Sequence, residues 1–370
     1  MLKHARRATL ALTTSALLAT TVTTGGVAQA APSDVKPRAA AAADWLATQL
    51  EGGLVTSEYQ DFNTGEWISY TDYGLSLDFF YAFDGLGVKR AVRRDILDAI
   101  EAQDENYTGG QYMYAGATGK LLTAVQEQGI DPSTYADGDL VAKLEGLVHT
   151  GSDSERGRAK DTFDSSDPWG GDYSNTLGQS FVVRALTAAD SELADETVEF
   201  LLKQQCLEGF FRVYMESSDH TCESGRSTEQ SGPSIDATAT AVLALVEARA
   251  AGLPGLGDDI KDAAAWLVAQ QRDNGSFADE GVANSNSTGL AAEALAELGR
   301  TKPAARAASW LASLRVTAKL ARTTAFKRSD VGAVAFSKAA LREGKQDGIT
   351  RDVVYQWRRA TAQAAVGLDS

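Results

Sequence analysis

The chain has 370 residues, and its 50 acidic and 35 basic side chains give a formal net charge of −15 at pH 7. Nucleic acids and anionic membranes select clusters of Lys and Arg, so this acidic balance argues against both as partners. A hydrophobic fraction of 44% is enough for the core of one large domain or two smaller ones.

The N-terminus has the pattern of a secretory signal peptide. Three basic residues precede an apolar, Thr-rich run over residues 8–22, and Ala28-Gln29-Ala30 follows as an A-x-A cleavage site. We therefore predict that residues 1–30 are removed and that the protein is secreted. Beyond residue 30 we predict no membrane span, because no stretch is long and apolar enough.

The chain has two cysteines, Cys206 and Cys222. In an exported protein an even pair predicts a disulfide. The bridge would close a loop of about 16 residues, which stabilises a protein by roughly 3 kcal/mol in the chain-entropy model. A zinc site needs three or four ligands, and the mature chain adds only His149 and His220. We expect no metal and no cofactor.

Two stretches, "EFLLKQQCLEGFF" from Glu199 and "AWLVAQQRDNGSF" from Ala265, align without gaps. Both have an aromatic–Leu pair, then paired Gln, then Gly and Phe at fixed spacing, and partial copies begin at two further Trp residues. The repeated residues are Phe200, Gln205, Gly209 and Phe211, then Trp266, Gln271, Gly275 and Phe277, with Trp45 and Trp310 in the partial copies.

A second half-unit also recurs. Asp or Asn precedes Thr or Gly and then an Ala/Leu-rich run at Asp236, Asn286 and Asp330, with looser copies at Asp72 and Asn175. Apolar residues at helical spacing, separated by turn residues, predict a helical hairpin of roughly 45–65 residues repeated about six times. Residues 350–368 predict one further amphipathic helix, which would cover an end of an open array or close a ring.

The Gln-to-Gly-x-Phe motif behind an aromatic–Leu pair resembles the QW-type repeat of the prenyltransferase and squalene oxidase repeat family. The resemblance is clear over residues 193–340 and weaker back to residue 41. It implies an all-α fold, the α/α toroid of terpenoid cyclases and protein prenyltransferases, with inner and outer helix rings around a cavity. Residues 31–37 would be a linker and residues 38–370 the toroid domain. The Cys206–Cys222 insertion is similar to secreted bacterial members.

The resemblance raises the question of a catalytic acid. Class II cyclases of this family carry Asp-x-Asp-Asp-Thr-Ala, whereas residues 234–239 here read SIDATA, so only Asp236 remains. A lone Asp of ordinary pKa is ionised at neutral pH and is a poor acid. Asn286 and Asp330 occupy the same slot in sister repeats. The pattern therefore favours a helix N-cap at Asp236 over a catalytic acid or a ligand contact.

Another acidic run, Asp258-Asp259-x-x-Asp262, resembles the diphosphate-binding motif of class I terpene synthases. It opens a predicted helix, where acidic residues are favoured by the helix dipole. We therefore predict that it marks a helix start and binds no metal.

Aromatic residues give the candidates for ligand binding. Trp67, Tyr70 and Tyr73 lie in one aromatic-rich stretch, and Trp169 and Tyr173 lie in an acidic loop over residues 161–175. Such rings stack on sugars or line apolar cavities. The competing interpretations are a helical core for the first stretch and a solvated loop for the second.

The sequence leaves three functions open. The first is an exported protein that binds a lipid-like or glycan ligand in its cavity or rim without cyclase chemistry. The second is a terpenoid cyclase or prenyltransferase-like enzyme with Asp236 as its acid, and the third is a glycan-active or glycan-binding barrel. The sequence decides neither the ligand, nor catalysis, nor the oligomeric state.

Overall fold

The computed structural model describes residues 35–103, 107–108, 110, 112–136, 138–167, 170–225 and 231–370. Within these ranges the chain forms fourteen α-helices and two short antiparallel strand pairs. The predicted signal peptide lies outside the described residues. In the described part, no helix combines the length and the apolar character needed to cross a membrane.

Six helices form a closed inner ring. Each packs against the next, and the last returns to the first. In chain order they are α2 (Tyr73–Gly85), α4 (Ala115–Glu127), α6 (Thr176–Ala188), α8 (Ile235–Ala250), α10 (Ser285–Glu297) and α14 (Val354–Ala365). The predicted helix over residues 350–368 is thus the sixth inner helix, and it closes the ring.

Outer helices alternate with the inner ones along the chain and pack on their outer side. They are α1 (Pro37–Ala47), α3 (Arg90–Glu101), α5 (Leu140–Glu145), α7 (Ala194–Leu202), α9 (Gly257–Gln270) and α11 (Thr301–Ser313), while α12 (Ala318–Thr323) and α13 (Lys338–Asp347) form an insertion before α14. This arrangement confirms the predicted α/α toroid of six helical hairpins. The acidic pair Asp258 and Asp259 lies in the first turn of α9, as predicted.

Two strand pairs join outer to inner helices. Strands β1 (Thr56–Gln60) and β2 (Trp67–Thr71) pair between α1 and α2, and β3 (Ala278–Asp279) pairs with β4 (Val282–Ala283) between α9 and α10. The helical-core interpretation of the aromatic stretch holds for the buried rings of α2, such as Phe80. It is wrong for Trp67 and Tyr70, because aromatic and β-branched residues at that point favour a strand.

The repeat motif joins each hairpin to its successor. Gly209 has φ +96°, and a Cβ there would lie 2.5 Å from the carbonyl oxygen of Asp262 in α9. The Gln205 side-chain amide donates hydrogen bonds to the carbonyl oxygens of Gly209 (3.0 Å) and Asp259 (2.9 Å). The Gln271 amide repeats this with Gly275 and with Pro303 of α11. Only glycine fits a positive φ and so close an approach.

The residue two places after this Gly fastens the turn to the inner helix. In five units its backbone N–H donates to a side-chain oxygen of the following inner helix, at 2.8 to 3.0 Å. The pairs are Val55–Ser76, Ala159–Gln179, Phe211–Thr238, Phe277–Thr288 and Val334–Thr361. The Gly of the last unit, Gly332, lies against Ala41 of α1 and so closes the ring.

The predicted helix caps are right in two inner helices and wrong in two. Asp72 caps α2 and Asn175 caps α6. In α8 the cap is Ser234, whose hydroxyl accepts the Ala237 N–H at 3.1 Å, and in α10 it is Asn284. Asp236 and Asn286 therefore lie inside their helices, two residues beyond the caps.

Asp330 was predicted to start an inner helix, and this is wrong. It ends a short 3-10 helix over residues 328–330, where its carboxylate accepts the Lys327 N–H at 2.7 Å. Gly332 has a φ of +109° and makes the close approach of the repeat motif, here to Ala41 of α1, instead of starting a helix. The insertion carrying α13 then separates this motif from α14.

The predicted disulfide is present between Cys206 and Cys222, whose Cα atoms are 5.1 Å apart. The bridge anchors the long connection from α7 to α8. The guanidinium of Arg212, fully buried beneath this connection, donates to Gln204 Oε1 at 2.8 and 2.9 Å and to the Met215 carbonyl oxygen at 3.0 Å.

Replacing the repeat glycine tests the joint between hairpins. We expect Gly209→Ala to lower the free energy of unfolding by about 1–3 kcal/mol more than Gly281→Ala, because the added Cβ meets a helix carbonyl as well as a strained φ. Gly281 is the matched control, since its φ is +80° and no atom lies within 4 Å of its added Cβ. Equal losses in urea unfolding would show that the close approach contributes nothing.

Removing the disulfide tests the α7–α8 connection. The double variant Cys206→Ala/Cys222→Ala should lose roughly 3 kcal/mol of unfolding free energy in the chain-entropy model. Reductant should lower wild-type stability by a similar amount and leave the double variant unchanged. A reductant effect of equal size on both proteins would contradict the assignment.

Candidate functional site

The inner ring encloses a central cavity of about 1000 Å³, to which all six inner helices contribute. This volume lies at the upper end of the range of small-molecule sites. Much of the wall is apolar, with aliphatic side chains that include Leu177, Leu243, Val246, Leu290 and Val366.

Aromatic rings form another part of the wall. The rings of Tyr81 and Phe181 lie 5.3 Å apart between centroids. Tyr107, Tyr114 and Tyr173 belong to the connections that lead into the inner helices, and they also line the cavity. The cavity thus offers flat apolar faces together with phenolic hydroxyl groups.

Two basic side chains lie over these rings. The Arg184 guanidinium is 5.6 Å from the Tyr81 centroid and 5.7 Å from that of Phe181, while its Nε donates to Glu247 Oε2 at 2.7 Å. Lys120 forms an ion pair with Asp78, and its Nζ is 5.9 Å from the Phe181 centroid. Both cations are therefore held by a carboxylate and by the face of an aromatic ring.

Four glutamates gather where the inner helices end, a group that we call the carboxylate end. They are Glu127 of α4, Glu247 of α8, and Glu293 and Glu297 of α10. Burial raises the pKa of Glu293 to about 7; Arg184 opposes this rise, whereas Glu247 and Glu297 add to it. Burial likewise raises the pKa of Glu127. At neutral pH Glu293 is therefore close to half ionised.

The predicted ligand-binding aromatics are only partly brought together. Tyr173 lines the cavity. Trp67 and Tyr70 lie in β2 away from it, and the Arg351 guanidinium covers the Trp67 ring at 4.4 Å. Tyr73, at the start of α2, contacts the Tyr107 ring, with centroids 6.0 Å apart. Trp169 lies outside the described residues.

The acidic loop over residues 161–175 holds Tyr173 at the cavity. The Asp161 carboxylate accepts the backbone N–H groups of Ala115 (2.8 Å) and Tyr173 (3.1 Å). Asp172 accepts a hydrogen bond from Arg158 Nη2 at 2.8 Å. Among the described residues, no group of three or more His, Cys, Asp or Glu is positioned to hold a metal ion.

Asp236 lies on α8 one helical turn before Thr240, which lines the cavity, but Asp236 itself does not line it. Its Oδ1 is buried and has no hydrogen-bond partner in the described part of the chain. Burial raises the pKa of Asp236, the Ser287 side chain lowers it and Asp279 raises it.

The sequence analysis missed most of the polar side chains of the cavity. One sequence pattern does indicate them. Thr240, Leu243 and Glu247 in α8 have the same spacing as Leu290, Glu293 and Glu297 in α10. A glutamate that recurs on the inward face of otherwise apolar helices indicates a lined cavity rather than a core.

No family model and no curated protein matches this chain. Several solved structures do. A protein from Actinoplanes is 16% identical, with a TM-score of 0.57 over 90% of this chain and 97% of that one. A variant of the type II terpene cyclase MstE from Scytonema, in complex with its substrate geranylgeranyl dihydroxybenzoate, is 14% identical. Its TM-score is 0.59 over 91% of this chain and 97% of that one.

The unsaturated glucuronyl hydrolase from Bacillus sp. GL1, responsible for glycosaminoglycan degradation, is 10% identical, with a TM-score of 0.56 over 89% of this chain and 95% of that one. At such identities the likeness shows the fold alone, because one fold hosts many activities. The chain has the terpenoid cyclase-like α/α-toroid fold, which it shares with cyclases and with a glycan hydrolase.

Proposed function

We propose that the protein binds a small organic molecule in its central cavity and does not perform type II cyclase chemistry. One observation carries this proposal, namely a cavity of about 1000 Å³ at the centre of a closed helix ring. Apolar and aromatic walls with a few placed charged groups are what a ligand site requires.

We further propose that the protein acts outside the cytoplasm, with residues 1–30 removed and residues 38–370 forming the toroid domain. The Cys206–Cys222 disulfide supports this, because such bridges persist in oxidising compartments.

The placement of Asp236 supports the absence of cyclase chemistry. A cyclase acid must reach the alkene, yet Asp236 does not line the cavity. Its motif neighbours have structural tasks, because Ser234 caps α8 and Ala237 is buried in the core. The second candidate, a cyclase-like enzyme with Asp236 as its acid, is favoured by the raised pKa of this carboxyl group.

Blocking the cavity tests ligand binding. Nile red, a neutral apolar dye, should bind the wild-type protein at one site, and Leu243→Trp should weaken binding several-fold, because the larger indole projects from the cavity wall and takes up space that the dye needs. Leu207→Trp is the control, since Leu207 is 83% exposed and is not one of the residues that line the cavity. Fluorescence titration measures both.

Equal dye binding by the Leu243 variant and the wild type would contradict the proposed site. Native mass spectrometry of the protein from its own producer adds a second measurement. A co-purifying small molecule that Leu243→Trp abolishes is the expected result.

Asp236→Asn separates the two candidates. A carboxyl group whose folded pKa is raised stabilises the protein fully below its unfolded pKa, and this stability is lost as pH rises through the folded pKa. Asn resembles the protonated form, so the unfolding free energy of the variant should rise relative to wild type between pH 4 and pH 7. Denaturant unfolding at both pH values measures this, with ligand binding unchanged.

Asp258→Asn is the matched control, because Asp258 lies exposed in the first turn of α9. Removing its charge should lower the unfolding free energy by about 0.3–1 kcal/mol at pH 7, whereas Asp236→Asn should raise it. An Asp236 variant that loses a catalytic activity on an alkene substrate would establish the cyclase instead.

A further inference from the structure

We propose that the cavity ligand carries a positively charged amino group, which the protein holds at the carboxylate end. The inference rests on the proposed function, since it names the chemistry of the molecule that this cavity takes.

The charge balance of the cavity wall is the first argument. Among the described lining residues seven are acidic and three are basic, so the wall is strongly anionic. Four of the acids are paired, Asp84 with Arg93, Asp78 with Lys120, and both Glu247 and Glu127 with Arg184. Glu293 and Glu297 form no hydrogen bond or salt bridge within the described part of the chain. A ligand bearing carboxylate or phosphate would meet net repulsion here.

The position of these acids is the second argument. A helix C-terminus carries a partial negative charge, so glutamates near it lower helix stability. Glu127 and Glu297 are the last residues of α4 and α10, while Glu293 and Glu247 lie within the last five residues of their helices. Arg184 faces them, at 2.7 Å from Glu247 and 3.9 Å from Glu127, and the charge of Arg93 also lowers the pKa of Glu127. A cation from outside the chain would offset the remaining repulsion.

The surroundings of this end favour an organic cation. Leu243, Val246 and Leu290 line the cavity on the same helices as Glu247 and Glu293, so a ligand can bury an apolar part beside its charged group. Gln363 of α14, the inner helix that packs against α10, also lines the wall.

A bare metal ion fits less well. Within the described ranges, no three acidic or histidine side chains converge as a metal site requires. The third basic lining residue, Arg359, precedes Gln363 by one helical turn and therefore lies closer to the start of α14. The cavity thus has a mixed region near the helix starts and an acidic region near the helix ends, which suits an amphipathic amine.

Three probes of one chain length test the inference by isothermal titration of the full protein at pH 7.5. Octylamine is cationic, 1-octanol is neutral and octanoate is anionic. We expect octylamine to bind about tenfold more tightly than 1-octanol, and octanoate to bind most weakly. Glu293→Gln should weaken octylamine binding several-fold and leave 1-octanol unchanged. Glu343→Gln, on the exposed face of α13, should change neither.

The pH dependence of the wild type gives a second measurement. Octylamine stays charged between pH 6 and pH 8. Its affinity should rise several-fold over this range, because Glu293, with a pKa of about 7, ionises. The charged groups that face Glu293 are Arg184, Glu247 and Glu297, so a variant at Glu293 is needed to assign the pH effect to this residue. Glu293→Gln should flatten the profile.

Failure of the inference and failure of the proposed function look different. If the three probes bind alike, or if octanoate binds best, the charge preference is wrong while the cavity still binds ligands. If no probe binds and Nile red does not bind either, the proposed function itself fails.

Discussion

The close approach of a repeat glycine to a carbonyl of the next outer helix is the contact on which the ring depends. Gly209 and Gly275 bring a turn against α9 and α11, and Gly332 brings the last turn back to α1. The backbone N–H two residues later then ties the same turn to the inner helix. Because each turn is fixed to two helices, the inner helices are held side by side in the closed ring that surrounds the cavity.

The same contact explains which parts of the fold the sequence predicts. Gly-x-Phe behind paired Gln is local, so two full copies were enough to predict the hairpins. The ring, rather than an open array, was predicted from the resemblance to toroid repeat proteins, and the disulfide from the even cysteine pair of an exported chain. The exact cap residue could not be predicted from the sequence, because Ser234 and Asp236 are both good capping residues and only the backbone conformation decides between them. At Gly332 the motif glycine was mistaken for a helix start, since its flanking residues are apolar in both settings.

The candidate site was harder to predict than the fold. Tyr173 was found because it stands in an aromatic, acidic loop, whereas Arg184, Glu247 and Glu293 sit in helices whose other faces are apolar. Sequence shows that a helix contains a glutamate, but not whether that glutamate points to solvent or to a cavity. Only the closed ring shows that three inner helices bring their glutamates to one end of the same space.

The glutamates at the carboxylate end lower the stability of the fold at the same positions that give the cavity its negative charge. Arg184 forms an ion pair with Glu247, whereas Glu293 and Glu297 lie near the negative ends of their helices without such a pair in the described part of the chain. Burial, together with the charges of Glu247 and Glu297, raises the pKa of Glu293. Apolar residues at these positions would pack without this cost, as they do at Leu243, one turn from Glu247. A shared toroid scaffold thus acquires its chemistry from a few inward positions. In this chain the proposed ligand would supply the missing positive charge at those positions.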